Sequence, residues 1–377
     1  AHAVLCTGAA LHGTPKYTLS ERERVSFRRT IALIYWTRYT HTPQILFTLQ
    51  ESIVAQHNPS LAPRMSPVHE TVAAFAPATI ANLGVGFDIF GMALETPGDV
   101  VRATFREQPG ATLDSVAGDG GKLPRAAGRN TACVAAQIVL ERLGAAGGVS
   151  LHLEKGLPLA SGLGSSAASA AAAAVATNAL FGAPLSLDDL LAACVEAEAS
   201  VSGRHADNVA PALWGGIVLV ASAEGQPHYQ LPTPDGLHLA LVTPDIAVPT
   251  AHARAVLPAR VSMRDMVRQT ALVASLVHAL HIGDLPLMAQ IMLQDPIVTP
   301  ARANLIPGYD LACAAAREAG AFGTLISGSG PTICALCDDP ATAQAAAAAF
   351  ADTYDALGIG SRAFTTRPSL LGARVID

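Results

Sequence analysis

The chain has 377 residues, half of them hydrophobic and only 14% charged, with a formal net charge of −6. That length can build one large domain or two ordinary ones, and so sparse and acidic a charge excludes a nucleic-acid binder, which needs a basic patch. No apolar run reaches the roughly 18 residues of a membrane span without polar interruption, apart from alanine stretches too weakly hydrophobic to insert.

The first 64 residues stand apart. They hold seven Lys/Arg against three Asp/Glu, whereas residues 65–377 hold 17 against 27. Two readings compete for them: a basic, hydroxyl-rich targeting segment, or upstream sequence joined to the reading frame. Without arginines spaced along an amphipathic helix, the second is favoured. Met65-Ser66-Pro67 has the form of a start. Residues 1–64 are therefore expected to be disordered or not native to the protein.

From there the elements follow in order. Val72–Pro77 alternates and predicts a strand, with a loop over Ala78–Gly86. Val100–Arg106 predicts a second strand before a Gly-rich turn at 117–121. Asn130 and Thr131 cap a helix running to Ala145, and Val149–Lys155 is a strand. A helix over 165–181 stops at Gly182, and Ser186-x-x-Asp189 opens the next with a capping-box pattern. Trp214–Ala221 and Leu237–Val242 read as strands, with Pro232-x-Pro234 as a hinge between them. Helices at 263–281, 284–294 and 308–319, strands at 322–327 and 332–337, and an Ala-rich helix at 340–357 complete the chain. Strands and helices alternate in two halves, which predicts an α/β or α+β protein with a cleft between them. The expected division is residues 65–225 and 226–377. Six cysteines are scattered through apolar segments and read as buried, reduced thiols of a cytosolic protein.

The segment richest in chemistry is Pro158-Leu159-Ala160-Ser161-Gly162-Leu163-Gly164-Ser165-Ser166-Ala167-Ala168-Ser169, which runs into an alanine helix. Its glycines let backbone approach an anion, and the helix start offers unpaired N–H groups and the positive end of a dipole. It is not a Walker A loop, because no Gly-Lys-Ser/Thr follows, and it is not a dinucleotide fingerprint. Lys155 lies upstream, within reach of a phosphate. Downstream, Glu196 or Glu198 could complete a Mg²⁺ site with a serine hydroxyl.

Five further segments carry polar groups out of proportion to their surroundings. Asn82-Leu83-Gly84-Val85-Gly86-Phe87-Asp88 could bind an ammonium or hydroxyl, or simply hold its own turn. His205, Asp207 and Asn208 share one extended stretch. Thr250 and Arg254, and separately Arg302, sit at loop–helix junctions, where guanidinium groups could clamp a carboxylate. Ser327-Gly328-Ser329-Gly330-Pro331-Thr332 is a second Gly/Ser loop between two strands, shaped as a second wall.

Three of these motifs, Pro77–Asp88, Pro158–Ser169 and Ser327–Thr332, together resemble the GHMP kinase superfamily. The forms Asn82-Leu83-Gly84-x-Gly86-Phe87-Asp88 and His205-Ala206-Asp207-Asn208 resemble its homoserine kinase family in particular, over residues 68–377. The resemblance implies an α+β fold: an N-terminal domain like ribosomal protein S5 domain 2 and a ferredoxin-like C-terminal domain. It implies ATP-dependent phosphorylation of L-homoserine to O-phospho-L-homoserine in threonine biosynthesis, the alternative being another small alcohol as acceptor. It implies that Pro158–Ala168 cradle the ATP phosphates, that Asn130 and Lys155 contact the nucleotide, and that Ser166 and Glu198 ligate Mg²⁺. By the same resemblance Ser166, Glu198 and Arg254 serve catalysis, and Asn82, Asp88, His205, Asp207, Thr250, Arg254, Arg302 and Gly328 line the acceptor site. The spacing to His205 is one residue shorter than the family's, which keeps Glu196 in play beside Glu198. No general base is implied, and positioning with charge neutralisation carries phosphoryl transfer. The expected partners are small molecules only, in the cytoplasm, with a homodimer left open.

Overall fold

The computed structural model describes residues 64–201 and 203–377; the expectations for residues 1–63, Cys6 included, lie outside them. Arg64–Asp377 forms one compact unit with an α+β fold.

The first sheet grows around β1 (Thr71–Ala81) and the long β2 (Phe90–Arg106), which pair antiparallel. All but two of the residues of β1 are buried, as expected of a strand covered on both faces. β3 (Gly110–Ala117) runs parallel to β4 (Gly148–Glu154), and β4 pairs with β2. β5 (Ile217–Val220) pairs with the inner half of β2, and β6 (His228–Leu231) pairs with β5. The last strand of the chain, β11 (Arg374–Ile376), returns to pair with β1. The boundary expected at 225/226 therefore falls in the connection between the paired strands β5 and β6.

Three helices pack with this sheet: α1 (Thr131–Leu143), α2 (Ser165–Leu180) and α3 (Leu187–Ala199). α2 lies against β1 and β2 with α1 and α3 beside it. Alanine makes this possible. The eight buried alanines of α2 favour the helix and add little thickness, so its backbone lies close to the strands. α3 opens with the capping box expected of it, Ser186 and Asp189 bonding each other's backbone N–H. α4 (Val209–Trp214) is short and buried.

The second sheet has the order β10-β7-β9-β8, all antiparallel: β7 (His238–Pro244), β8 (Gly323–Ile326), β9 (Ile333–Cys337) and β10 (Ser361–Thr366). Side chains alternate between its two faces. Ala240, Val242, Ile333 and Ala335 join the core under α9 (Tyr309–Glu318) and α10 (Pro340–Ala356). Leu239, Leu241, Cys334 and Leu336 join the larger core, with α6 (Met263–Ile282) and α7 (Leu285–Met292). Two short helices, α5 (Thr250–Ala255) and α8 (Val298–Arg302), complete the fold.

Several sequence expectations shift. The loop expected over Ala78–Gly86 begins later, because Thr79, Ile80 and Ala81 pair with Ala93, Met92 and Gly91. Trp214 ends a helix rather than starting a strand. β3, β6, β10 and β11 were not anticipated, nor were α5 and α8; all are short or half-exposed and carry little apolar periodicity. The five described cysteines are free and buried, and burial alone pushes the Cys133 thiol up to about 12. Among the described residues no helix is long and apolar enough to cross a membrane.

Candidate active site

A cleft of about 470 Å³ opens at the start of α2. One wall is the loop 158–164 between β4 and α2, and its shape follows from its sequence. Ser161 Oγ donates to the Pro158 carbonyl at 2.9 Å, and Ala160, Gly162 and Gly164 all take positive φ. At Gly162 a Cβ would stand 2.3 Å from the Ser327 carbonyl oxygen, and at Gly164 one would stand 2.0 Å from Thr79 Oγ1. Neither position accepts another residue without moving its neighbours. The loop is thus clamped between β1 and the second Gly/Ser loop. Ser327 Oγ donates to the Gly162 carbonyl at 2.7 Å, the Thr332 N–H to Ser161 and the Thr79 N–H to Leu163. Ser327–Thr332 forms the wall that its sequence suggested.

Gly164 is the N-cap of α2 and offers no side chain to its first turn. The first-turn N–H groups have no side-chain cap and belong to residues at the cleft, an arrangement suited to phosphate. Ser165 and Ser166 both line it. Ser166 Oγ donates to Glu198 Oε2 at 3.0 Å, and Glu198 is buried on the last turn of α3. Glu196 is half-exposed and paired with Arg204 at 2.6 Å. Between the two acids left open by spacing, only Glu198 lines the cleft. A hydroxyl and a carboxylate are hard oxygen donors that fit Mg²⁺ when phosphates complete the shell. Among the described residues no group of three or more His, Cys, Asp or Glu stands together to form an all-protein cage.

The opposite end of the cleft is built around Phe87. Arg254 lies 5.3 Å and Arg302 5.1 Å from its ring centroid, so one aromatic face system holds two like charges in place. Arg254 Nη2 donates to Asp88 Oδ1 at 2.7 Å and to His205 Nδ1 at 3.1 Å, while its buried Nε has no partner among the described residues. Arg302 is buried and donates from Nε to the Ala253 carbonyl and from Nη1 to that of Gly328. Asn82 Nδ2 donates to the same Gly328 carbonyl at 2.9 Å and its Oδ1 accepts from the Asp88 N–H. Thr250 completes the rim.

Charges here shift one another. Burial, then the Asp88 carboxylate, pushes Asp207 up to about 7, against a smaller opposing pull from Arg254. Burial, then Arg254, pulls His205 down, which keeps its ring neutral and lets Nδ1 accept from Arg254.

Most of the expected residues therefore meet in one cavity: Asn82, Asp88, Asn130, Lys155, Leu159 to Gly162, Gly164 to Ser166, Glu198, His205, Asp207, Thr250, Arg254, Arg302 and Gly328. Pro158, Leu163, Ala167 and Ala168 do not line it; the last three are buried in the core and shape the loop through backbone. Asn130 is largely spent as the N-cap of α1, accepting from the Ala132 and Cys133 N–H groups. Lys155 borders the cavity, but its side chain is 1% exposed and its ammonium pairs with Asp99.

The sequence descriptions of the GHMP kinases N-terminal domain and the GHMP kinases C-terminal domain match residues 130–216 and 276–356. A homoserine kinase of Chlorobium phaeobacteroides is 42% identical over 299 residues, 76% of this chain and 93% of its own length. One of Halorubrum lacusprofundi is 45% identical over 294 residues, covering 78% and 95%. The chain belongs to the homoserine kinase family. The crystal structure of a homoserine kinase from Cytophaga hutchinsonii superposes with a TM-score of 0.79 at 41% identity, covering 82% of this chain and 98% of that one. A mevalonate kinase from L. major, at 21% identity and a TM-score of 0.62, shares the fold alone.

Beside the motifs that mark the homoserine kinase family, two residues without a role in the sequence reading bear on the site, Phe87 in its lining and Asp99 behind it, and Asn208 of the His205–Asn208 stretch joins them. Phe87 lies inside the first motif, but its neighbours were assigned roles and the ring was not. Asn208 accepts from Thr79 Oγ1 at 2.8 Å and lines the cleft. Asp99, fully buried, gave only the weak signal of a lone acid at the head of an apolar strand.

Proposed function

We propose that the cleft holds ATP at its α2 end and L-homoserine at its Phe87 end, so that the substrate hydroxyl takes the γ-phosphoryl group. The protein is an ATP-dependent homoserine kinase, producing O-phospho-L-homoserine and ADP for threonine biosynthesis. The observation that carries the assignment of sites is that both ends share one cavity. The loop 158–164, the start of α2 and the Ser166–Glu198 pair stand at one end, and Arg254, Arg302, Asp88, His205 and Asp207 at the other.

On this reading the N–H groups at the start of α2 take the β- and γ-phosphates. Ser166 and Glu198 hold Mg²⁺, which when bound neutralises charge on the transferring group. Arg254 and Arg302 receive the α-carboxylate, a role that planar guanidinium groups fill better than ammonium. Asp207, with Asp88 and Asn82, receives the α-ammonium. The enzyme's work is alignment of hydroxyl and γ-phosphorus, and no side chain is required as general base. ADP release measured with homoserine, mevalonate, galactose and shikimate tests this: turnover should depend on homoserine, and equal turnover with another of these alcohols would overturn it.

A pH dependence follows from Asp207. Its proton is held up to about pH 7 in the native state, against 3.8 for an ordinary aspartic acid. Only the carboxylate pairs with the substrate ammonium. The kcat/KM for homoserine should therefore rise with pH and level off above about 7, and Asp207→Asn should remove that limb while lowering the plateau. Because the native state retains a proton that the unfolded chain releases, this group also makes stability fall as pH climbs from about 4 to about 7. A profile of kcat/KM for homoserine that is flat from pH 5.5 to 8 would contradict the assignment.

A further inference from the structure

Behind the start of α2 lies a charge pair whose hydrogen-bond partners are all within the chain; Lys155 and Ser169 border the cleft almost fully covered, and Asp99 stands behind them. Asp99 sits in β2 with a fully buried side chain, and Lys155, at the end of β4, is buried against it. The three protons of the Lys155 ammonium have three acceptors: the Asp99 carboxylate, the Ser165 carbonyl at 2.9 Å and Ser169 Oγ at 2.9 Å. Ser169 Oγ in turn donates to Asp99 Oδ2 at 2.7 Å. The other oxygen of Asp99 accepts from the Gly156 N–H at 3.1 Å. One carboxylate therefore ties together β2, the first residue of the loop after Lys155 and the first turn of α2. Ser165 is the first residue of that helix and Ser169 lies one turn below it.

With all its protons used, the ammonium has none left for a ligand. Removing either charge alone would leave the other buried and unpaired. A cheaper interior would place apolar side chains here, yet Lys155 and Ser169 both hold the Ser165 carbonyl in the first turn of α2, where Ser165 and Ser166 line the cleft.

We propose that Asp99, acting through Lys155 and Ser169, is a positioning residue that sets the first turn of α2 for the phosphates of ATP, so that Lys155 serves the nucleotide without touching it. The inference rests on the assignment of ATP to the α2 end of the cleft. It gives the ion pair a role beyond stability: orientation of the Ser165 and Ser166 backbone, where misplacement of an ångström costs catalysis heavily.

Ser169→Ala removes one hydroxyl and leaves the charges paired, and the double variant Asp99→Leu with Lys155→Met removes both charges together. For each, KM for ATP, KM for homoserine and melting temperature are measured on the full chain. Ser169→Ala should melt close to the native protein and raise KM for ATP by about threefold or more. The double variant should melt above either single charge-removing variant, yet show KM for ATP raised about tenfold, with KM for homoserine within about twofold of native. Native KM for ATP in Ser169→Ala, or in a folded double variant, would overturn the proposal and reduce the pair to a packing feature. Equal rises in both KM values would overturn it too. If the double variant does not fold, Ser169→Ala decides. None of these outcomes bears on whether the native enzyme phosphorylates homoserine, which its own turnover settles.

Discussion

Glu198→Gln is expected to lower kcat by about two orders of magnitude or more, and Ser166→Ala by a comparable factor. The two side chains meet at 3.0 Å at the start of α2, and each supplies an oxygen where charge develops on the transferring phosphoryl group. The amide of Gln keeps the volume and loses the charge, so the effect should fall on turnover while the fold survives. Glu196→Gln is the matched control. Its carboxylate is half-exposed and paired with Arg204, and a surface pair of this kind contributes little. Its kcat should stay within about twofold of native. ADP release at saturating ATP and homoserine measures all three, and a silent Glu198→Gln beside a crippled Glu196→Gln would reverse the assignment.

Arg254→Leu is expected to raise KM for homoserine strongly and leave KM for ATP nearly unchanged, a loss of about 2–4 kcal/mol in kcat/KM for one charge-assisted carboxylate contact. Part of that loss comes from Asp88 and His205, which surrender their shared donor. Arg302 needs a gentler change, because its removal would strand the Ala253 and Gly328 carbonyls. Arg302→Lys should weaken homoserine binding and rescue only part of the loss seen with Leu, since an ammonium cannot replace the planar fork. A diol that lacks the carboxylate should be a poor acceptor for the native enzyme and lose little more in Arg254→Leu. If it loses as much as homoserine does, Arg254 serves the fold or the nucleotide.

The parts of this site that were legible in the sequence are those in which chemistry is compressed into a few adjacent residues. The loop 158–169 announced itself because glycine, serine and alanine each have a separate reason to stand before a phosphate helix. The Asn82–Asp88 and His205–Asn208 stretches were legible for the same reason. What the sequence hid depends on distance along the chain. Asp99 and Lys155 are 56 positions apart and meet only because β2 and β4 pair, Val100 opposite Glu154. Phe87 reads as one more apolar residue until Arg254 and Arg302 arrive on it from elsewhere in the chain. Spacing could not separate Glu196 from Glu198, but the turn of α3 does, pointing one outward and burying the other. Among the elements, β11 has three residues and no periodicity to detect; it exists because β1 offers it an edge.

Phosphorus NMR of the reaction of the full chain with ATP, Mg²⁺ and L-homoserine tests the central claim most directly. A phosphomonoester signal should grow in step with ADP and be split into a triplet by the methylene that bears the esterified oxygen, identifying the side-chain hydroxyl as acceptor. Inorganic phosphate appearing in its place, or ADP forming at the same rate without homoserine, would contradict the account.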